Sequence, residues 1–100
     1  MKTANSSLTI SVALCTFNGA KYLQEQLDSI AAQTRLPDEL VVCDDRSTDD
    51  TVSILETFAV SAPFRVRLYR NQENLGSSKN FEKAMRLCAG EIIALCDQDD

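Results

Sequence analysis

Residues 8–34 read LTISVALCTFNGAKYLQEQLDSIAAQT, and a change of period inside this stretch decides the fold. Leu8, Ile10, Val12 and Leu14 recur at every second position with β-compatible residues between them, the pattern of a strand reaching about Thr16. Gly19 breaks the run. From Ala20 to Thr34 the apolar positions become Leu23, Leu27 and Ile30, with Gln24, Glu25 and Asp28 on the wet side of an amphipathic helix.

The same alternation continues outward from that unit. Leu36-Pro37-Asp38 ends the helix, because proline disfavours helix before it, and Leu40 to Cys43 is a short apolar run suited to a strand covered on both faces. A second helix is expected to open at Ser47, whose hydroxyl can cap and whose Asp50 suits the positive helix end, with Val52, Leu55 and Ala59 buried beside Ile54 and Phe58. Phe64, Val66 and Leu68 alternate with Arg65, Arg67 and Arg70, marking a third strand with one wet face or at a sheet edge. A third helix carries Phe81, Ala84, Met85 and Cys88 on one side and is expected to stop at Gly90 in the usual glycine manner; Glu91 to Cys96 forms the fourth strand.

A β-α-β-α-β-α-β order implies right-handed crossovers and an α/β, doubly wound, mostly parallel Rossmann-like sheet. With the third strand at an edge, the strand order is 3-2-1-4. Ligands of such sheets bind outside the carboxyl ends of the strands, here Thr16 to Gly19, Asp44 to Ser47, Asn71 to Gly76 and the terminal Asp97-Gln98-Asp99-Asp100. All four segments are polar, and this order brings Asn18 beside Asp97 and Asp99.

Composition narrows the partners. One hundred residues with 44% hydrophobic and 25% charged side chains make one ordinary globular domain. Fifteen acidic against ten basic residues, with no histidine, exclude a general nucleic-acid binder, which needs a basic face. No apolar run approaches a membrane span and Met1 to Ser7 is polar, so the expected compartment is the cytoplasm. Cys15, Cys43, Cys88 and Cys96 lack the close spacing of zinc ligands and read as buried thiols.

The chemistry concentrates in the acidic segments. Three carboxylates in four positions repel one another unless a hard divalent cation neutralises them; a solvated acidic turn is the plainer alternative. Asp44 and Asp45 suit helix capping, a second cation, or hydrogen bonds from a nucleobase or ribose. No glycine has a partner at G-x-G-x-x-G spacing, and no Walker-type loop is present. A receiver-type signalling module would place its acidic pair after the first strand, whereas this pair follows the second. A nucleotidyltransferase would show a glycine-rich basic loop where Thr16 to Lys21 stands.

Taken together, CTFNG at 15–19, QLDSI at 26–30 with Gln33-Thr34, DDRSTD at 44–49, NLG at 74–76, NFE at 80–82 and DQDD at 97–100 resemble the amino-terminal half of a family 2 glycosyltransferase of the GT-A fold. The stretches cover almost the whole chain from about residue 8 and are similar to rhamnosyltransferase-like members. The resemblance implies a nucleotide-sugar-binding donor subdomain over residues 1–100, taking a UDP- or dTDP-linked sugar. Thr16, Phe17 and Asn18 would line the nucleobase pocket, with the Phe17 ring against the base; Asp45 would accept from the base imide, with Asp44 beside it. Asp97 would lie near the ribose or metal and Asp99 would coordinate Mn2+ or Mg2+, with Asp100 assisting. The reaction implied is inverting transfer to a hydroxyl of a glycan or lipid-linked acceptor, in cell-surface polysaccharide synthesis at the inner face of the membrane. The catalytic base is unknown and expected beyond Asp100, so this chain alone is expected to be inactive; its oligomeric state stays open. Arg46 replaces the glycine usual in D-D-G-S, which argues against a positive φ there and leaves it an exposed side chain or a contact to the donor phosphates. Phe17 stands where tyrosine is common, and Lys79 reads as solvated.

Overall fold

A computed structural model describes residues 8–97, with Asp97 described by its backbone alone. The elements run β1 (Ile10–Thr16), α1 (Ala20–Ala31), β2 (Glu39–Asp44), α2 (Thr51–Ser61), β3 (Arg65–Arg70), α3 (Ser77–Leu87) and β4 (Ile92–Asp97). All three strand pairings are parallel and the order is β3-β2-β1-β4, as the sequence predicts.

The two faces of the sheet are covered by different helices. Val12 and Leu14 of β1 and Leu40 and Val42 of β2 pack with Leu23, Leu27 and Ile30 of α1 and Leu55 of α2. The alternate residues, Ala13, Cys15 and Cys43, meet Ala84 of α3, with Phe81, Leu87 and Cys88 closing the cluster. Small residues on the second face let one helix approach where two pack on the first. β2 is buried along its whole length, whereas β3 is an edge whose end residues are exposed. β4 forms the other edge, and Ile92, Ile93 and Leu95 are exposed there.

Local differences from the sequence reading have identifiable causes. α1 stops at Ala31 rather than Thr34, and the Arg35 guanidinium turns back to the carbonyls of Leu8 and Leu36. α2 opens at Thr51, not Ser47, because the Ser47 hydroxyl is taken by Asp44 instead of capping a helix. Ala59 and Met85 are exposed; Ile54 and Phe58 cover the core in place of Ala59. Gly90 does not supply a left-handed helix end, since Cys88 is already extended. Its requirement is space: a Cβ there would lie 2.8 Å from the backbone nitrogen of Ser11 and 2.6 Å from its Oγ.

These contacts set an order of sensitivity. Leu14 is fully buried while Val60 is 88% exposed. Leu14→Ala should lower unfolding free energy by about 2–5 kcal/mol, and Val60→Ala should change it by less than about 0.5 kcal/mol, as read by urea titration. Gly90→Ala should also destabilise, because strand backbone cannot move aside for the methyl group.

Candidate functional site

At the carboxyl end of the sheet, the paired strand ends place Thr16 beside Asp44, Asp44 beside Arg70, and Cys15 beside Asp97. The ladder continues past the strands, with the Asp45 N–H donating to the Thr16 carbonyl and the Asn71 N–H to that of Asp44, both at 2.9 Å. The polar segments after β1, β2 and β3 therefore meet at this end of the sheet, next to the Asp97 end of β4.

Asp44 and Asp45 bind that surface together from within. Asp44 is fully buried, and its Oδ1 accepts from the hydroxyls of Thr16 (2.7 Å) and Ser47 (2.6 Å) while Oδ2 accepts the Ser47 N–H (2.9 Å). Asp45, 6% exposed, reaches the loop after β3: Oδ1 accepts the Asn71 amide (2.9 Å) and the Leu75 N–H (2.7 Å), and Oδ2 the Gly76 N–H (3.0 Å). A carboxylate offers about four acceptor positions, and bonds from described residues take two on Oδ1 and one on Oδ2. Burial pushes its carboxyl upward, but these donors prevail and hold it below the usual carboxylate range. Gly76 has φ 87, a conformation that presents its N–H to Asp45 and that side chains rarely adopt.

The loop after β1 is secured differently. The N–H groups of Asn18, Gly19 and Ala20 donate to Ser47 Oγ (2.8 Å), Thr51 Oγ1 (3.0 Å) and Asp49 Oδ2 (3.2 Å). Asn18 Oδ1 accepts in return from the Thr48 N–H at 2.7 Å. These amides are not presented to a ligand as in a glycine-rich phosphate loop, which matches the lack of a G-x-G-x-x-G sequence. Phe17, by contrast, is 51% exposed on this surface. Arg46 adopts φ 65, contrary to expectation: the tight Asp44–Ser47 turn forces the left-handed conformation, and its guanidinium donates to the Gln72 carbonyl.

Asn71 and Asn80 were not singled out as buried groups by sequence. The Asn71 amide donates to Asp45 and to Asn80 Oδ1, its own Oδ1 accepts from Lys83, and Asn80 donates to the Cys43 carbonyl. Their signal is a polar residue at position 80 on the stripe shared with Ala84 and Leu87. Asp99 and Asp100, expected at the metal, lie outside the described residues. Among the described residues no group of three metal-ligating side chains gathers, and no helix is long and apolar enough to cross a membrane.

The model of the family "Glycosyl transferase family 2" matches residues 11–100. The chain is 37% identical over 91 residues to chondroitin synthase of Escherichia coli, covering 91% of this chain and 13% of that protein. It is similar to S. aureus TarS in complex with UDP, with TM-score 0.82 and 32% identity over 92% of this chain and 28% of that one. It is equally similar to the mannosyltransferase PcManGT of Pyrobaculum calidifontis in complex with GDP-Man and Mn2+, with TM-score 0.83, 32% identity and the same coverages. Against other curated relatives the chain spans 27% to 34% of their length.

The carboxylate network makes acid stability a direct readout. Asp45, Asp49 and Glu39 are all held below their ordinary values: in each, hydrogen-bond donors outweigh burial. Groups depressed in the folded state stabilise above their unfolded pKa, about 4, and lose that contribution as pH falls through the folded values. The urea midpoint should therefore fall progressively below about pH 4. Asp45→Asn should lose about 1.5–3 kcal/mol at pH 7 and flatten part of that acid slope.

Proposed function

The chain belongs to glycosyl transferase family 2, and from that premise we propose that residues 1–100 form the donor half of a glycosyltransferase that binds a nucleoside diphosphate sugar through a divalent metal. The observation that carries this reading is the pairing of β1 with β4, which sets Asp97, the first residue of the DQDD run, beside Cys15 and the Thr16–Asn18 segment. Hard oxygen donors at that density, three carboxylates in four positions, fit a divalent cation. Asp97 and Asp99, with Asp100 assisting, would hold it, and a bound Mn2+ or Mg2+ supplies charge neutralisation at the leaving diphosphate.

The chain's own groups divide the remaining work. Phe17 offers an exposed ring for the nucleobase, and Asp45 has an acceptor position for its imide N–H. Thr16 and Asn18 wall the pocket, Thr16 through its main chain since its hydroxyl serves Asp44. Asp44 supports the pocket through Thr16 and Ser47 rather than by facing the ligand. Because the amides of the β1–α1 loop are committed, neutralisation of phosphate charge falls to the metal.

Transfer to an acceptor hydroxyl with inversion, in polysaccharide synthesis at the cytoplasmic face of a membrane, completes the reading. It is supported by the resemblance and by the likeness to a chondroitin synthase. The donor is a sugar linked to UDP or another nucleoside diphosphate, since the similar solved structures hold UDP in one case and GDP-Man in the other. The groups assigned above all serve donor binding, so residues 1–100 should bind donor without transferring it.

Calorimetric titration with UDP, GDP and dTDP, each with and without Mn2+, tests the proposal. One nucleotide should bind in a metal-dependent manner, and Asp99→Ala should weaken it at least tenfold. Equal binding by Asp99→Ala, or none by the folded chain, would overturn the reading.

A further inference from the structure

The carboxyl end of the sheet holds a concavity on its β2–β3 side. It is an open cleft of about 540 Å³ lined by Arg46, Ser47, Thr48, Arg70, Asn71 and Asn74. β3 lies three strands from β4, so the ends of those strands are separated by about 14 Å at the usual strand spacing. The cleft is therefore displaced toward the β3 edge from Asp97 and the diphosphate position proposed above.

Among the described residues, neither of its arginines has a carboxylate partner. The arginine ion pairs among the described residues are Arg35–Asp38, Arg67–Glu39 and Arg86–Glu82. Arg70, the exposed last residue of β3, makes no hydrogen bond or ion pair with any described residue, and Arg46 donates only to the Gln72 carbonyl. Asp44 and Asp45 are near in sequence but each accepts three hydrogen bonds from other groups. The cleft thus carries two guanidinium groups that no described carboxylate compensates, in a chain of net charge −5.

The walls are fixed while the arginines are available. Ser47 is bonded to Asp44, Asn71 to Asp45 and Asn80, and Asn74 donates to the Asp45 carbonyl at 2.6 Å. Arg46 keeps φ 65, a left-handed conformation that a residue with a Cβ rarely adopts. A guanidinium presents parallel N–H donors matched to carboxylate and phosphate oxygens.

We propose that the Arg46–Arg70 cleft is a binding subsite for an oxyanion, a carboxylate or phosphate group carried by a ligand, separate from the donor diphosphate. The site uses guanidinium forks and no metal, so it does not depend on the donor reading.

The test is an NMR titration of the 15N-labelled chain with sodium phosphate, sodium glucuronate and sodium chloride, without metal and at constant ionic strength. Saturable shifts of the Arg46 and Arg70 signals with phosphate or glucuronate, absent with chloride, are expected; the tighter ion assigns the source as phosphoryl group or sugar acid. Arg46→Gly, which suits the left-handed backbone, and Arg70→Gln should each weaken binding at least fivefold, and the double variant should not saturate while keeping a folded amide spectrum. Absence of saturation with both ions, or unchanged affinity in the folded double variant, would overturn the proposal. In a further arm with UDP and Mg2+ in excess, oxyanion affinity at the arginines should be unchanged; competition would mean that the ion had occupied the diphosphate position, and would overturn it too. Failure of UDP to bind would count against the donor reading alone, because the metal-free titration stands by itself.

Discussion

A strand buried over its full length that ends in two adjacent aspartates imposes a constraint on everything around it. Charge withdrawn from water must be paired or hydrogen-bonded, and neither Asp44 nor Asp45 forms an ion pair with a described residue. Their partners come from three segments: Thr16 at the end of β1, Ser47 in the turn after β2, and Asn71, Leu75 and Gly76 after β3. Satisfying these oxygens therefore fixes the relative positions of three loops, and the left-handed backbone at Arg46 and the positive φ at Gly76 are local consequences.

The opposite end of the sheet is held by similar chemistry for a different purpose. Glu39, buried at the start of β2, accepts from Ser11 Oγ (2.6 Å), the Ala89 N–H (2.7 Å) and Arg67 (3.0 Å), while Gly90 approaches β1 closely enough to donate to Ser11 Oγ. Those contacts fasten α3 and β4 to the central strands. At the carboxyl end the same kind of bonding engages the amides of Asn18, Gly19 and Ala20, so the proposed ligand contacts fall to side chains: the exposed Phe17 ring, the Asp45 carboxylate and the arginines. Under the two proposals, phosphate recognition rests on carboxylate-bound metal in the donor site and on guanidinium groups in the cleft rather than on backbone amides.

Much of this was legible before any coordinates. The period change at Gly19 and the full apolar run at 40–43 gave the right element order, and the arginine alternation of β3 placed it at an edge, from which the strand order followed. The polar segments after each strand marked the functional end. Helix boundaries were less legible: Ser47 reads as a cap, yet a buried aspartate three residues earlier offers its hydroxyl a stronger partner. Gly90 reads as a helix terminator, yet its requirement is set by Ser11, a residue 79 positions away.

What the sequence by itself determined is the alternation of strand and helix, the family resemblance and the residue types gathered at the strand ends, because periodicity and motif spacing are local properties of the chain. Only the tertiary structure decided which of those polar groups face inward. Asp44 and Asp45 are adjacent aspartates of identical chemistry, but the pleat of β2 turns one toward Thr16 and Ser47 and the other toward the loop after β3. Likewise Arg46 and Arg70, 24 positions apart in the chain, share a cleft because β2 and β3 are neighbours in the sheet. A side chain's direction and neighbours depend on strand register and loop closure, which bring together residues that local sequence cannot relate.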